Sequence, residues 1–165
     1  MSVLKQVQLL DEVGAYRFFF EKVEEVLEGI VKETELMHVS SFLAHFSTTS
    51  RFATATLPSP VDLSHFFEVF VLDKSQSSDP EILELGGVHC LFLTGFFRDQ
   101  MMRKHNIAWY EQLGSNFYLN ASQRTSSSLG VKRSVLFRMG KNFIPGLLLF
   151  KDLIKVWRKI GMIIF

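Results

Sequence analysis

Five histidines and one cysteine are the residues of this chain best suited to metal binding or nucleophilic chemistry: His38, His45, His65, His89, His105 and Cys90. A zinc site needs three or four converging ligands. His38 and His45 are seven residues apart, so on a helix two turns and about 10 Å separate them, and they cannot chelate one ion unaided. His89 and Cys90 are adjacent and would point about 100° apart on a helix, which is not a nucleophile–base pair. Glu24, Glu25 and Glu28 fit a solvated acidic face better than a paired-carboxylate site. The sequence contains no Gly-x-x-x-x-Gly-Lys-Ser/Thr, no Gly-x-Gly-x-x-Gly and no Gly-x-Ser-x-Gly, so the common phosphate cradle, dinucleotide fingerprint and hydrolase elbow are missing. No catalytic, cofactor-binding or metal-ligating residue is expected, and no cofactor. An enzyme with an unfamiliar site ranks below a non-enzymatic chain.

Cations are the second candidate chemistry. Arg98, Arg103, Lys104 and His105 crowd the junction between two aromatic-rich stretches. They would converge beside a helix N-terminus as an anion or partner contact, or form the solvated corner between two core helices. Just after them, Tyr110, Gly114 and Tyr118 recur every four residues, with Trp109, Leu113 and Phe117 as the neighbouring stripe. Glycine inside a helix costs about 1 kcal/mol relative to alanine. A close helix approach at Gly114 would offset that cost, with leucine there overpacking and alanine better tolerated.

A second basic group lies at the end of the chain. From Arg124 onward nine basic residues face one acid, Asp152, for a local charge of +8, while the whole chain carries +1. Half of the acids of the preceding segment lie between Asp11 and Glu35. The two halves either neutralise each other or leave a basic face for anionic lipid or nucleic acid. In the final helix Lys151, Asp152, Lys155, Arg158 and Lys159 fall within about 120° of arc, and the rest is apolar. That is the pattern of an interfacial helix, and equally of one docked on its own core. Five charges across the segment argue against a membrane span.

These residues need elements to hold them. The chain has 165 residues, is 47% hydrophobic and 21% charged, and holds 17 Phe against 10 Gly and 4 Pro. That suits one compact domain and disfavours an all-β fold, which needs frequent turns. Apolar spacing predicts about seven helices in a single all-α domain over residues 1–165. The first runs over Val7–Val31, weakened at Gly14 and Gly29, and the second over Glu33–Phe46. A Ser/Thr-rich loop follows. Ser59 then caps Pro60–Leu72, and Asp79 caps Pro80–Phe97, the most apolar helix. Asn106 caps Ile107–Ser122. A short helix over Val131–Met139 stops at Gly140, and Asn142 caps the last helix, with Pro145 in its first turn. A single cysteine excludes an intrachain disulfide, and no basic-then-apolar leader opens the sequence, so a cytoplasmic setting is expected.

Leu85-Gly86, the apolar run to Gly95-Phe96-Phe97, the basic Met102-Arg103-Lys104, and Trp109-Tyr110 with Leu113-Gly114 and Tyr118 form a pattern. It resembles an uncharacterised family of all-helical bacterial proteins that read Leu-Gly-Asp, Gly-Phe-Phe-Pro, Arg-Arg and Tyr-Tyr-x-x-Met-Gly-x-x-x-Tyr. Gly87, Arg98 and Trp109 stand where that pattern has Asp, Pro and Tyr. The resemblance implies a helical cytoplasmic domain and no particular activity. The leading functional expectation is a non-enzymatic helical domain acting through contacts with protein, itself or another. The alternative is peripheral binding to anionic membrane surfaces through the basic C-terminal helix. Nucleic-acid binding ranks lower, because no helix-turn-helix signature accompanies the basic segment.

Overall fold

The computed structural model describes residues 11–48, 79–96, 98–104 and 106–159. It is all-α: among the described residues there are seven α-helices, one π-helical turn and no strand. The expected helix Pro60–Leu72, its Ser59 cap and the loop before it lie outside the described residues. The chain divides into two compact units, Met1–Leu57 with Asp152–Phe165, and Pro58–Lys151.

In the first unit α1 (Glu12–Leu27) pairs with α2 (Glu33–Thr48). Helix α1 starts at Glu12, and the part of the expected helix from Val7 to Leu10 lies outside the described residues. Asp11 is extended, and its carboxylate accepts from the Gly14 N–H at 2.7 Å, which makes it an N-cap. The helix stops short of Val31. Glu28 (φ −56°, ψ 132°) and Gly29 (φ 77°) form the centre of a type II turn, closed by the Ile30 N–H donating to the Leu27 carbonyl at 3.0 Å. Apolar spacing ran through this point, but the turn needs a positive φ at its third residue, which glycine supplies without steric cost. Ala15, Phe19, Val23 and Leu27 bury one four-residue row of α1, and Leu36, Val39 and Leu43 bury the inner face of α2. The Ser40 hydroxyl, fully buried there, donates to the Leu36 carbonyl at 2.7 Å.

The second unit begins at Asp79, whose carboxylate accepts from the Glu81 N–H at 2.9 Å and so caps α3 (Pro80–Leu91). The expected single helix to Phe97 changes character at Phe92, where a π-helical turn (Phe92–Phe96) takes over. A π turn loosens the carbonyl ladder, and side chains occupy it. The Thr94 hydroxyl donates to the Cys90 carbonyl at 2.6 Å, and Arg98 donates to the Thr94 carbonyl at 3.3 Å. Gly95 lies inside this turn. Helices α4 (Arg98–Lys104), α5 (Ile107–Arg124), α6 (Gly130–Lys141) and α7 (Phe143–Lys159) follow. Asn106 caps α5 as expected, accepting from the Trp109 N–H at 3.4 Å.

Helix α5 is the hub, packed on α3 and on α6. Glycines set both contacts. A Cβ on Gly87 would fall 2.8 Å from the Tyr118 ring, and one on Gly114 would fall 2.7 Å from the Cys90 Cβ and against the ring of Phe143. Gly140 does not stop α6. It is buried inside that helix, where a Cβ would lie 2.8 Å from the Leu119 side chain and 2.9 Å from its backbone nitrogen. The Ser115 hydroxyl donates to the Gly140 carbonyl at 2.7 Å, and the Ser122 hydroxyl to the Arg133 carbonyl at 2.8 Å. Seven residues separate the donors on α5 and seven the acceptors on α6, in opposite order, so the two helices are antiparallel. Asn142 is the pivot to α7. Its N–H donates to the Arg138 carbonyl at 2.9 Å, and its carbonyl accepts from the Gly146 N–H at 2.7 Å.

Candidate functional site

Cys90, Tyr110 and Tyr118 are buried in the second unit. Cys90 is fully buried, and burial pushes its thiol well above the ordinary range. It therefore stays protonated and non-nucleophilic near neutral pH. Tyr118 is also fully buried. Its hydroxyl is raised well above its usual value, first by burial, then by the charge of Glu84, and last by Cys90 where that thiol ionises. Tyr110 is raised by burial and then by Cys90. Among the described residues no three His, Cys, Asp or Glu side chains are placed to hold a metal ion.

Of the first cluster, Arg98 and Arg103 are described, and they lie on different sides of one helix. Arg98 to Lys104 form a helix rather than a loop, and a five-residue spacing sets Arg98 and Arg103 roughly 140° apart on it. The Arg98 guanidinium is engaged, 2.7 Å from the Glu111 carboxylate and bonded to the Thr94 carbonyl. Its role here is to tie the π turn and α4 to the first turns of α5. Arg103 is exposed. The Lys104 side chain and His105 lie outside the described residues.

The same corner exposes groups of another kind. Met102 is 59% exposed and Trp109 is 38% exposed, with the Trp109 ring edge-on to Tyr110 at 4.8 Å. From Trp109 the solvent face of α5 continues through Gln112, Asn116, Asn120 and Gln123, all exposed. These five residues fall within about 80° of arc at 100° per residue. With Ala108 they make up every exposed position of α5 before Arg124, and none is charged. The Gln112 amide donates to the Asn116 carbonyl oxygen at 3.5 Å. This face lies opposite the buried row of Tyr110, Gly114 and Tyr118. The signal was legible as amide residues at three- and four-residue spacing from Trp109.

Helix α7 buries Phe143, Leu147, Phe150 and Leu153. The space over Gly95 is filled by Leu147 and Phe150, each 3.6 Å from where its Cβ would be. Lys151, Asp152 and Lys155 are exposed. Arg158 and Lys159 belong to the same helix, with side chains outside the described residues. Two apolar residues, Ile144 and Leu148, share this solvent side. On α6 the exposed row is Arg133, Phe137 and Lys141, with the Lys141 ammonium 5.8 Å from the Phe137 ring centroid. Lys132 pairs with Glu84 at 3.0 Å. No helix among the described residues is long and apolar enough to cross a membrane.

No protein-family model, curated protein or solved structure matches the chain. Its surfaces and their chemistry therefore carry the functional reading.

Proposed function

We propose that this chain is a cytoplasmic, non-enzymatic helical domain that works through contacts with protein, itself or another, on the solvent face of α5. The observation that carries this reading is the run of exposed, uncharged residues from Trp109 to Gln123. Charged residues are depleted at the centres of protein interfaces, because desolvating them is costly. A helix face used only to meet water has no reason to avoid them. Tryptophan combines a large apolar area with one hydrogen-bond donor, and it is enriched among the residues that dominate binding energy. The amides supply donors and acceptors that a partner can match without paying for buried charge. Met102, exposed nearby in the chain on α4, adds an adaptable apolar contact.

The test uses the full chain, tagged and incubated with extract of its native source, and sedimentation to measure self-association. Wild type is expected to retain a protein or to self-associate. Asn116→Arg places a charge at the centre of the face and should abolish that contact while leaving the melting temperature unchanged. Trp109→Ala should weaken it by about thirtyfold, the equivalent of one hot-spot side chain. Retention of the same proteins by wild type and Asn116→Arg, or no association of any kind, overturns the reading.

A further inference from the structure

We infer that the corner between α6 and α7 is a docking surface for an anionic lipid bilayer. It is separate from the uncharged face of α5 and does not depend on that reading. Six residues form it. Arg133, Phe137 and Lys141 follow one another at four-residue spacing on the solvent side of α6. Ile144, Leu148 and Lys151 follow at spacings of four and three on the solvent side of α7. Only Asn142 stands between the helices, so the Cα atoms of Lys141 and Ile144 are no more than about 11 Å apart.

Three features select a bilayer. First, no acid occurs anywhere from Arg124 to Lys151, while six basic residues do. An extended negative surface meets the three cations of this face, Arg133, Lys141 and Lys151, with Asp152 as the exposed carboxylate beside them on α7. Second, the apolar members stand clear of the fold: Leu148 is 67% exposed, and Phe137 and Ile144 are each 48% exposed. A nucleic acid would take these aliphatic side chains mainly by unstacking its bases, at about a few kcal/mol per step. The headgroup–acyl boundary takes them directly, while Lys and Arg stems lie along it with their charges at the phosphates. Third, the neighbouring row of α7, roughly 100° round the helix, is already used. Phe143, Leu147 and Phe150 are buried, so docking needs no unfolding of the helix. The proposed docking is peripheral, and no helix among the described residues is long and apolar enough to cross a bilayer.

Flotation of the full chain with phosphatidylcholine vesicles, with and without about 30% phosphatidylglycerol, tests this. The chain is expected to float with the anionic vesicles only, and to lose binding as salt rises. The Lys141→Glu, Lys151→Glu double variant should bind at least about thirtyfold more weakly, from roughly fivefold per cation removed. Phe137→Ser with Leu148→Ser should also weaken binding, with less change in its salt dependence. All four positions are exposed, so the melting temperatures should match wild type. If a variant unfolds, Ser134→Cys carrying a polarity-sensitive dye reports docking in the otherwise native chain, since Cys90 is buried and should not label. Equal flotation with neutral vesicles, no flotation with either, no dye response or unchanged binding by the charge-reversed variant overturns the inference. So does retention on polyglutamate or duplex DNA without vesicle binding, which would assign the cations to an acidic protein or a nucleic acid.

Discussion

At Gly114 a single hydrogen atom stands between α5 and two neighbours. The Cβ that alanine would add lies 2.7 Å from the Cys90 Cβ and against the Phe143 ring. Real Cβ atoms do not approach that closely, so even alanine forces a shift. Gly114→Ala should destabilise by about 1–3 kcal/mol, with leucine worse. Gly146 gives the opposite sign. Nothing lies within 4 Å of its added Cβ, and it sits in the helical run of α7. Gly146→Ala should stabilise by up to about 1 kcal/mol through helix propensity alone. Urea unfolding of the two variants checks both signs. A neutral result at Gly114 would mean that the helices around it can move apart at no cost.

Between elements, the antiparallel seam of α5 and α6 rests on two hydroxyls that reach across to helix carbonyls. Ser115 meets Gly140 at one end, and Ser122 meets Arg133 at the other. The Arg133 carbonyl has a second lone pair to offer beyond its helix ladder, and the Gly140 carbonyl lies in the last turn of α6, where the ladder gives it no partner, so each contact adds a bond without breaking one. Ser115→Ala and Ser122→Ala should each cost about 1 kcal/mol. Two helical turns, about 10 Å, separate the sites, so the double variant should cost close to the sum. A double variant no worse than either single would show that the seam opens as one piece. The seam also explains why Gly140 lies within α6: a larger residue would hold Leu119 away and stretch the neighbouring Ser115 bond.

For the whole molecule, the unit built on α1 and α2 also draws on Asp152–Phe165. Two paired helices alone bury little apolar surface, and small assemblies are marginal for that reason. Leu153 is fully buried, and deleting one such side chain typically costs about 2–5 kcal/mol. A chain ending at Phe150 should therefore be insoluble, or should lose protection from hydrogen exchange at Val23 and Leu27 on α1. If those amides stay as protected as in the full chain, the end of α7 is not part of that core.

Composition and spacing by themselves determined the helical class, the caps at Asp79 and Asn106 and the buried row Tyr110–Gly114–Tyr118. Each depends on residues within a few turns of one another, and helical periodicity reports such relations directly. The tertiary structure alone decided the rest, because it depends on partners distant in sequence. Gly140 reads as a helix stop until Leu119 of another helix is found against it. Arg98 reads as an available cation until Glu111 is seen within 2.7 Å. The end of α1 at Leu27 was written locally in Gly29, but the apolar row running past it carried the opposite message. The lower face of α7 resembles a lipid-facing stripe until Leu147 and Phe150 are seen to fill the space over Gly95. Only then do Ile144 and Leu148 stand out as the apolar residues left for another surface. Periodicity divides a helix into faces, but which face is buried depends on what the rest of the chain brings against it.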